Sequence, residues 1–223
     1  VNAGAGVDKL IVTDDADLNV ATEGARYTNF ETLNYTEGGS AANIDMSLIS
    51  GITKLESGVN TSASFTNVSV AQSGNITVTG DQTTDLSVTL LSATGTADSV
   101  TFNMKSATTT ANVDAIFGVD NIETVNFVAT TGTNSTNANA VSFLGSNADE
   151  VTAINISGTA DFDLTAGASG SLDAVAVDIS AAGLTGTGDF SMIGGILLTG
   201  STVTGSLNAD AIALSTTTGT TYD

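Results

Sequence analysis

Histidine, cysteine, tryptophan and proline are all absent from these 223 residues. Without imidazole or thiol, ordinary zinc, copper and haem sites are excluded, as are Ser-His-Asp and Cys-His nucleophilic arrangements. Without cysteine no disulfide staples the fold, and the absence fits export through a one-step bacterial secretion system. Positive charge is nearly missing: Lys9, Arg26, Lys54 and Lys105 stand against 24 acidic residues, for a formal charge of −20. Nucleic-acid binding by counterion release needs clustered Lys and Arg and is excluded; adsorption to anionic lipid needs polybasic segments and is disfavoured. Such a surplus of carboxylates attracts hard cations, Ca²⁺ foremost, and equally keeps an exposed protein soluble. No apolar run reaches the 18 residues of a spanning helix, so membrane insertion is not expected. The chain opens on Val1 with no basic segment and apolar stretch of a secretory signal, and both ends read as cut from a larger chain. Export and anchoring signals are therefore expected outside this segment.

What is present is a recurring short apolar β-run. Leu33, Leu55, Val78, Phe102, Val125, Ile154, Val175 and Ile196 mark it, at steps of 22, 23, 24, 23, 29, 21 and 21 residues. A period of that length is the signature of a stacked array, in which each unit buries its apolar face on its neighbours. Within the runs, apolar and polar residues alternate, as in Ile76 and Val78, Leu86, Val88 and Leu90, Val100 and Phe102, Ile122–Phe127, Val151–Ile156, Phe162–Leu164 and Val175–Ile179. Thr- and Val-rich alternation bounded by Gly, Asn, Asp and Ser predicts strands. Weaker runs at Ala63–Val70 and Ala140–Leu144 suggest two or three strands per coil. Single helical turns are expected at Ile44–Ile49, Val113–Phe117 and Ala138–Glu150, and loops at 108–110, 130–139 and 216–221. Few NG or DG hairpin turns occur. The fold class is therefore all-β, a parallel β-solenoid with coils of roughly 22 residues, and a β-sandwich is the alternative. One elongated domain spans 1–223, with a lead-in segment at 1–37 and stacked coils at 38–223. The eight phenylalanines read as interior stack residues.

Two acidic constellations stand out. Ala3-Gly4-Ala5-Gly6-Val7-Asp8 places two glycines ahead of an aspartate, and by its residues reads as a glycine-bearing turn leading into the strand at 9–13. Asp14-Asp15-Ala16-Asp17 crowds three carboxylates; they repel unless solvated or metal-bound, and Asp15 and Asp17 share one side of an extended strand. Asp161 and Asp163 repeat that spacing around Phe162, and weaker groupings involve Asp120 with Glu123, Asn147 with Asp149 and Glu150, Asp178 and Asp189. No carboxylate pair sits beside arginine, and aromatic platforms for sugars are sparse, so an enzyme is not expected. Thr77/Thr79 and Thr202/Thr204 do not recur at one coil position, which favours β-propensity over a flat ice-binding face.

Residues 3–10 resemble the G-G-x-G-x-D-x-U-x nonapeptide of repeats-in-toxin (RTX) calcium β-rolls, with Ala3 in place of the first glycine. GAGVDKLIVTDDADLN followed by NFETLNYTEGGS, and later VDNIETVNFVA and EVTAINISG, look like the RTX-bearing surface-layer (S-layer) and adhesin proteins of Gram-negative bacteria. Tandem nonapeptides are lacking. The resemblance implies an extracellular, type I-secreted structural protein of the bacterial cell surface. It implies folding and lattice assembly that depend on Ca²⁺, with Gly4, Gly6 and Asp8 at the matching ligand positions; Asp14, Asp15, Asp17, Asp161 and Asp163 are the further candidate ligands read from the residues. The implied partners are further copies of itself, in a two-dimensional lattice or oligomer, and outer-membrane lipopolysaccharide through regions outside this segment. A calcium-dependent adhesin that binds glycans or protein is the alternative.

Overall fold

The computed structural model describes all residues except 14–17, 19, 37–41, 59, 107–111, 131–137, 145–147, 167–171, 173, 195–196, 214–220 and 223. It is a parallel β-solenoid with two strands to a coil. One side is a ten-stranded sheet in the order β1 (Lys9–Val12), β2 (Thr32–Tyr35), β4 (Lys54–Ser57), β6 (Ile76–Val78), β8 (Ser99–Met104), β10 (Thr124–Ala129), β12 (Ala153–Gly158), β14 (Asp178–Leu184), β16 (Thr202–Thr204), β18 (Thr221–Tyr222). The other is an eight-stranded sheet in the order β3 (Ala42–Asp45), β5 (Asn60–Val68), β7 (Gln82–Leu90), β9 (Ala115–Gly118), β11 (Asn139–Phe143), β13 (Phe162–Thr165), β15 (Phe190–Ile193), β17 (Ala211–Ala213). β1 and β2 pair directly, and from β2 on successive strands alternate between the sheets, so each strand pairs in parallel with the strand one coil away.

Alternation in the sequence becomes alternation of burial: inward residues of β8, β10 and β11 are buried and their neighbours half-buried or exposed. The inward residues of both sheets form one continuous apolar core. Leu33, Leu55, Ile76, Phe102 and Phe127 stack as one row along the ten-stranded sheet, each fully buried. Around Phe127 the core is aromatic, with the rings of Phe102, Phe117, Phe143 and Phe162 at centroid distances of 5.8, 5.4, 6.2 and 5.2 Å. All eight phenylalanines are buried, as expected.

The register differs from the sequence alignment in a specific way. Ile76, not Val78, pairs with Phe102, and Val125 pairs with Val100, while Phe127 takes the place beside Phe102. A two-residue slip keeps every side chain on its own face, so the alternation that reveals the strands leaves this choice open. The strand expected at Val175–Ile179 begins at Asp178, and its Ile179 pairs with Ile154 and Val203; Ile196 lies outside the described residues. Two expected helical turns are strands: Val113–Phe117 holds most of β9, and Ala138–Glu150 holds β11, as the weak run at Ala140–Leu144 suggested, followed by a turn. Parallel neighbours on both sides offer these segments ladder hydrogen bonds that a single helical turn cannot match. Ile44–Ile49 holds the end of β3 and a 3₁₀ turn, Met46–Leu48. The α-helices among the described residues are α1 (Ala21–Gly24) and α2 (Val70–Ser73). The Gln72 side chain caps α2 at the Ser69 amide and donates to the Ile52 carbonyl of the preceding coil.

Candidate functional site

The glycine–aspartate segment forms a coil corner just before β1. Gly4 (φ +96°) and Gly6 (φ +147°) adopt backbone conformations that a Cβ disfavours, so these positions require glycine. The Asp8 amide donates to Glu31 Oε2 of the next coil at 2.8 Å, and the amides of Glu31 and Thr32 both donate back to the Asp8 carbonyl at 3.1 Å. One coil further, the Thr53 and Lys54 amides donate to the Glu31 carbonyl. The same scheme recurs at Asp98, a corner without the Gly-x-Gly-x-Asp pattern. The Asp98 amide donates to Glu123 Oε2 at 2.8 Å, Glu123 and Thr124 donate to the Asp98 carbonyl, and Thr152 and Ala153 to the Glu123 carbonyl. Here the Asp98 carboxylate also accepts from the Gly95 amide at 3.2 Å. The signal for this second corner was the shared phrase Glu-Thr-hydrophobic, at Glu31-Thr32-Leu33 and Glu123-Thr124-Val125.

On the eight-stranded side, aspartates link neighbouring coils. Asp81 Oδ1 accepts from the Asp114 amide (3.0 Å), Asp114 Oδ1 from Asn112 Nδ2 (2.6 Å) and the Ala140 amide (3.3 Å), and Asp161 Oδ1 from the Asp189 amide (3.0 Å). Asp161 and Asp163 flank the buried Phe162, as the sequence suggests. Burial pushes the Asp114 carboxyl above its ordinary range, and the charges of Asp81 and Asp163 push it further. Asp163 is raised by burial too, with a contribution from Asp161, against the pull of a Ser191 hydrogen bond. Asp178 accepts from the Thr202 hydroxyl at 2.7 Å. Asp120 lies in a turn with its carboxylate exposed, and Asp149 and Glu150 lie in another turn.

These positions do not assemble into one centre. Gly4, Gly6 and Asp8 lie at the ten-stranded sheet, and Asp161 and Asp163 at the eight-stranded one; Asp14, Asp15 and Asp17 fall outside the described residues. Asp8 Oδ2 is buried without a hydrogen-bond partner, which suits one cation ligand. Ca²⁺ takes six to eight oxygens, and among the described residues no three acidic side chains gather to hold a metal. The described carboxylates do not form a closed calcium cage.

A third feature was missed in the sequence. Glu56, on the outer face of β4, has a side chain only 8% exposed. Its carboxylate meets Lys9 Nζ at 2.6 Å, Lys54 Nζ at 3.0 Å and Asn34 Nδ2 at 2.8 Å. Burial alone pushes this carboxyl up; the Lys9, Asn34 and Lys54 contacts outweigh it and hold Glu56 at about 2. The trio lies at one end of a groove of about 470 Å³ that runs to Lys105 across β6 and β8. The signal was positional: Lys9 and Lys54 each precede the inward leucine of their strand, Leu10 and Leu55, and the register Lys9–Thr32–Lys54 puts them on one outer row.

No family model matches the chain, and neither a curated protein nor a solved structure matches it.

Proposed function

We propose that this chain is a structural segment of an extracellular bacterial surface layer, a coat assembled from copies of itself with Ca²⁺ as counterion. The observation that carries the reading is a continuous parallel stack with one core, bearing a net charge of −20. A stack of this kind is a rigid block, with each coil held by its neighbours, and a coat requires rigid blocks rather than chemistry. The glycine–aspartate corners and the Asp14–Asp17 run support the secreted, RTX-like, calcium-bound character of the proposal. Carboxylate repulsion opposes compaction where free Ca²⁺ is scarce; outside the cell Ca²⁺ binding to the folded form adds its free energy to folding. No turnover is expected.

Thermal melts followed by circular dichroism in millimolar Ca²⁺, in millimolar Mg²⁺ and in EDTA test this. The expected outcome is a higher midpoint in Ca²⁺ than in either other condition. Coincident melts in all three contradict the calcium dependence.

A further inference from the structure

Three of the four cationic side chains of this acidic chain converge on one outer-face groove, and we propose that the groove binds a short acidic oligosaccharide. The anion of the sugar, a carboxylate or a sulfate ester, lies against the lysines, and its hydroxyls meet the neutral polar wall. This inference is independent of the coat reading.

Charge is the first argument. Glu56 offsets one of its two lysine partners, and among the described residues no carboxylate lies within ion-pair reach of the exposed Lys105. The groove therefore carries a local surplus of positive charge on a chain that is elsewhere strongly negative. Placement is the second. The lysines come from the first, third and fifth strands of the ten-stranded sheet, β1, β4 and the residue following β8. Alternate strands lie roughly 10 Å apart, a spacing that spreads the ammonium groups along an extended ligand rather than on one point. The buried Glu56 fixes the ammonium groups of Lys9 and Lys54, so two of the three cations are pre-organised.

The lining selects the rest of the ligand. Beside the lysines lie the amides of Asn75 and Asn103 and the hydroxyl of Thr77, with the hydroxyls of Thr79 and Thr130, which donate to the Ser57 and Met104 carbonyls and keep lone pairs that can accept from a sugar hydroxyl. Among the described residues Val128 is the one apolar lining residue and no aromatic side chain lines the groove, so they offer apolar ligands and nucleobases no surface to stack on. A peptide bound in extended form seeks an unpaired sheet edge, whereas β4, β6 and β8 are paired on both sides. The overall negative field repels long polyanions, which favours a ligand with one or two charges.

The test is isothermal titration of the intact chain with trigalacturonate, its full methyl ester, a sulfated disaccharide and a pentaglutamate peptide. Lys105→Gln and Lys105→Glu serve as variants, because Lys105 is exposed and the fold does not depend on its side chain. The expected result is binding of at least one acidic sugar, with weaker or no binding of the ester and the peptide. Affinity is expected to fall about fivefold in K105Q and more than about tenfold in K105E, the scale of one charge-assisted hydrogen bond. Tighter binding of either acidic sugar supports the proposal and identifies its anion. Equal binding of the methyl ester, equal or tighter binding of the peptide, no binding of either acidic sugar, or unchanged affinity in K105E overturns it.

Discussion

The corners at Asp8 and Asp98 use the same hydrogen bonds, an aspartate amide to a glutamate one coil on and a threonine amide after it, but they support different surfaces. In front of the first corner the outer row reads Lys9, Thr32, Lys54; in front of the second it reads Ser99, Thr124, Ala153. Directly behind both corners the core row is aliphatic, Leu33 and Leu55 at the first and Val100, Val125 and Ile154 at the second; two residues further along, the first has Val12, Tyr35 and Ser57 and the second the aromatic cluster around Phe127. One corner scheme therefore serves as scaffold in both places, and the residues free to change decide what each surface does.

The core difference gives the largest expected effect. Phe127→Ala removes the ring in contact with four others and is expected to destabilise the fold by about 3–5 kcal/mol in denaturant melts. Hydrogen exchange is expected to quicken first in β8, β10 and β12, with β1 and β2 still protected, since stability in a stack is local. Uniform quickening contradicts local coupling. The corner comparison is sharpened by Glu31→Ala and Glu123→Ala. Each leaves an aspartate amide without its acceptor, and each is expected to cost about 1–2 kcal/mol. Closely matched losses confirm the equivalence of the corners, and an effect confined to one of them breaks it.

Acid separates the two sides of the solenoid. Glu56 is held at about 2 in the folded state against 4.5 ordinarily. Its contribution is therefore full above about pH 4.5 and is lost as pH falls from there toward 2. Lys9→Gln is expected to lower the midpoint at pH 7 and to leave a smaller acid-induced drop across that window. Asp114 and Asp163 are raised, so their protonation favours the folded state, and stability from this source grows as pH falls through their range. Asp114→Asn keeps an acceptor for the Ala140 amide and removes the repulsion. The smallest effect, a midpoint rise of about 1–2 °C at pH 7, is expected from this change; a fall contradicts the repulsion.

Alternation exposed the solenoid because it reports which face each residue takes, and the buried phenylalanines follow from the same period. It does not fix register, since Ile76 and Val78 face the same way and either could lie beside Phe102. Along the paired rows, steps range from 19 residues (Val203 to Tyr222) to 31 (Leu86 to Phe117), so no constant spacing resolves the choice. β9 was hidden because its apolar run is short and its ladder partners are distant in sequence, whereas β11 was legible as the weak run at Ala140–Leu144. The lysine groove was hidden for a related reason: Lys9, Lys54 and Lys105 are scattered in the chain and become neighbours only when the coils stack. The glycine corner was legible at Gly4 and Gly6, where the motif is local, and illegible at Asp98, where the shared feature is a bond to the next coil.

Sedimentation velocity of the chain across a Ca²⁺ titration, paired with electron microscopy of the same samples, tests the coat reading most directly. Monomers in EDTA that assemble into ordered arrays or defined oligomers as Ca²⁺ reaches millimolar concentration are the expected result. Monomers at every Ca²⁺ concentration, or identical assembly in EDTA, contradict it.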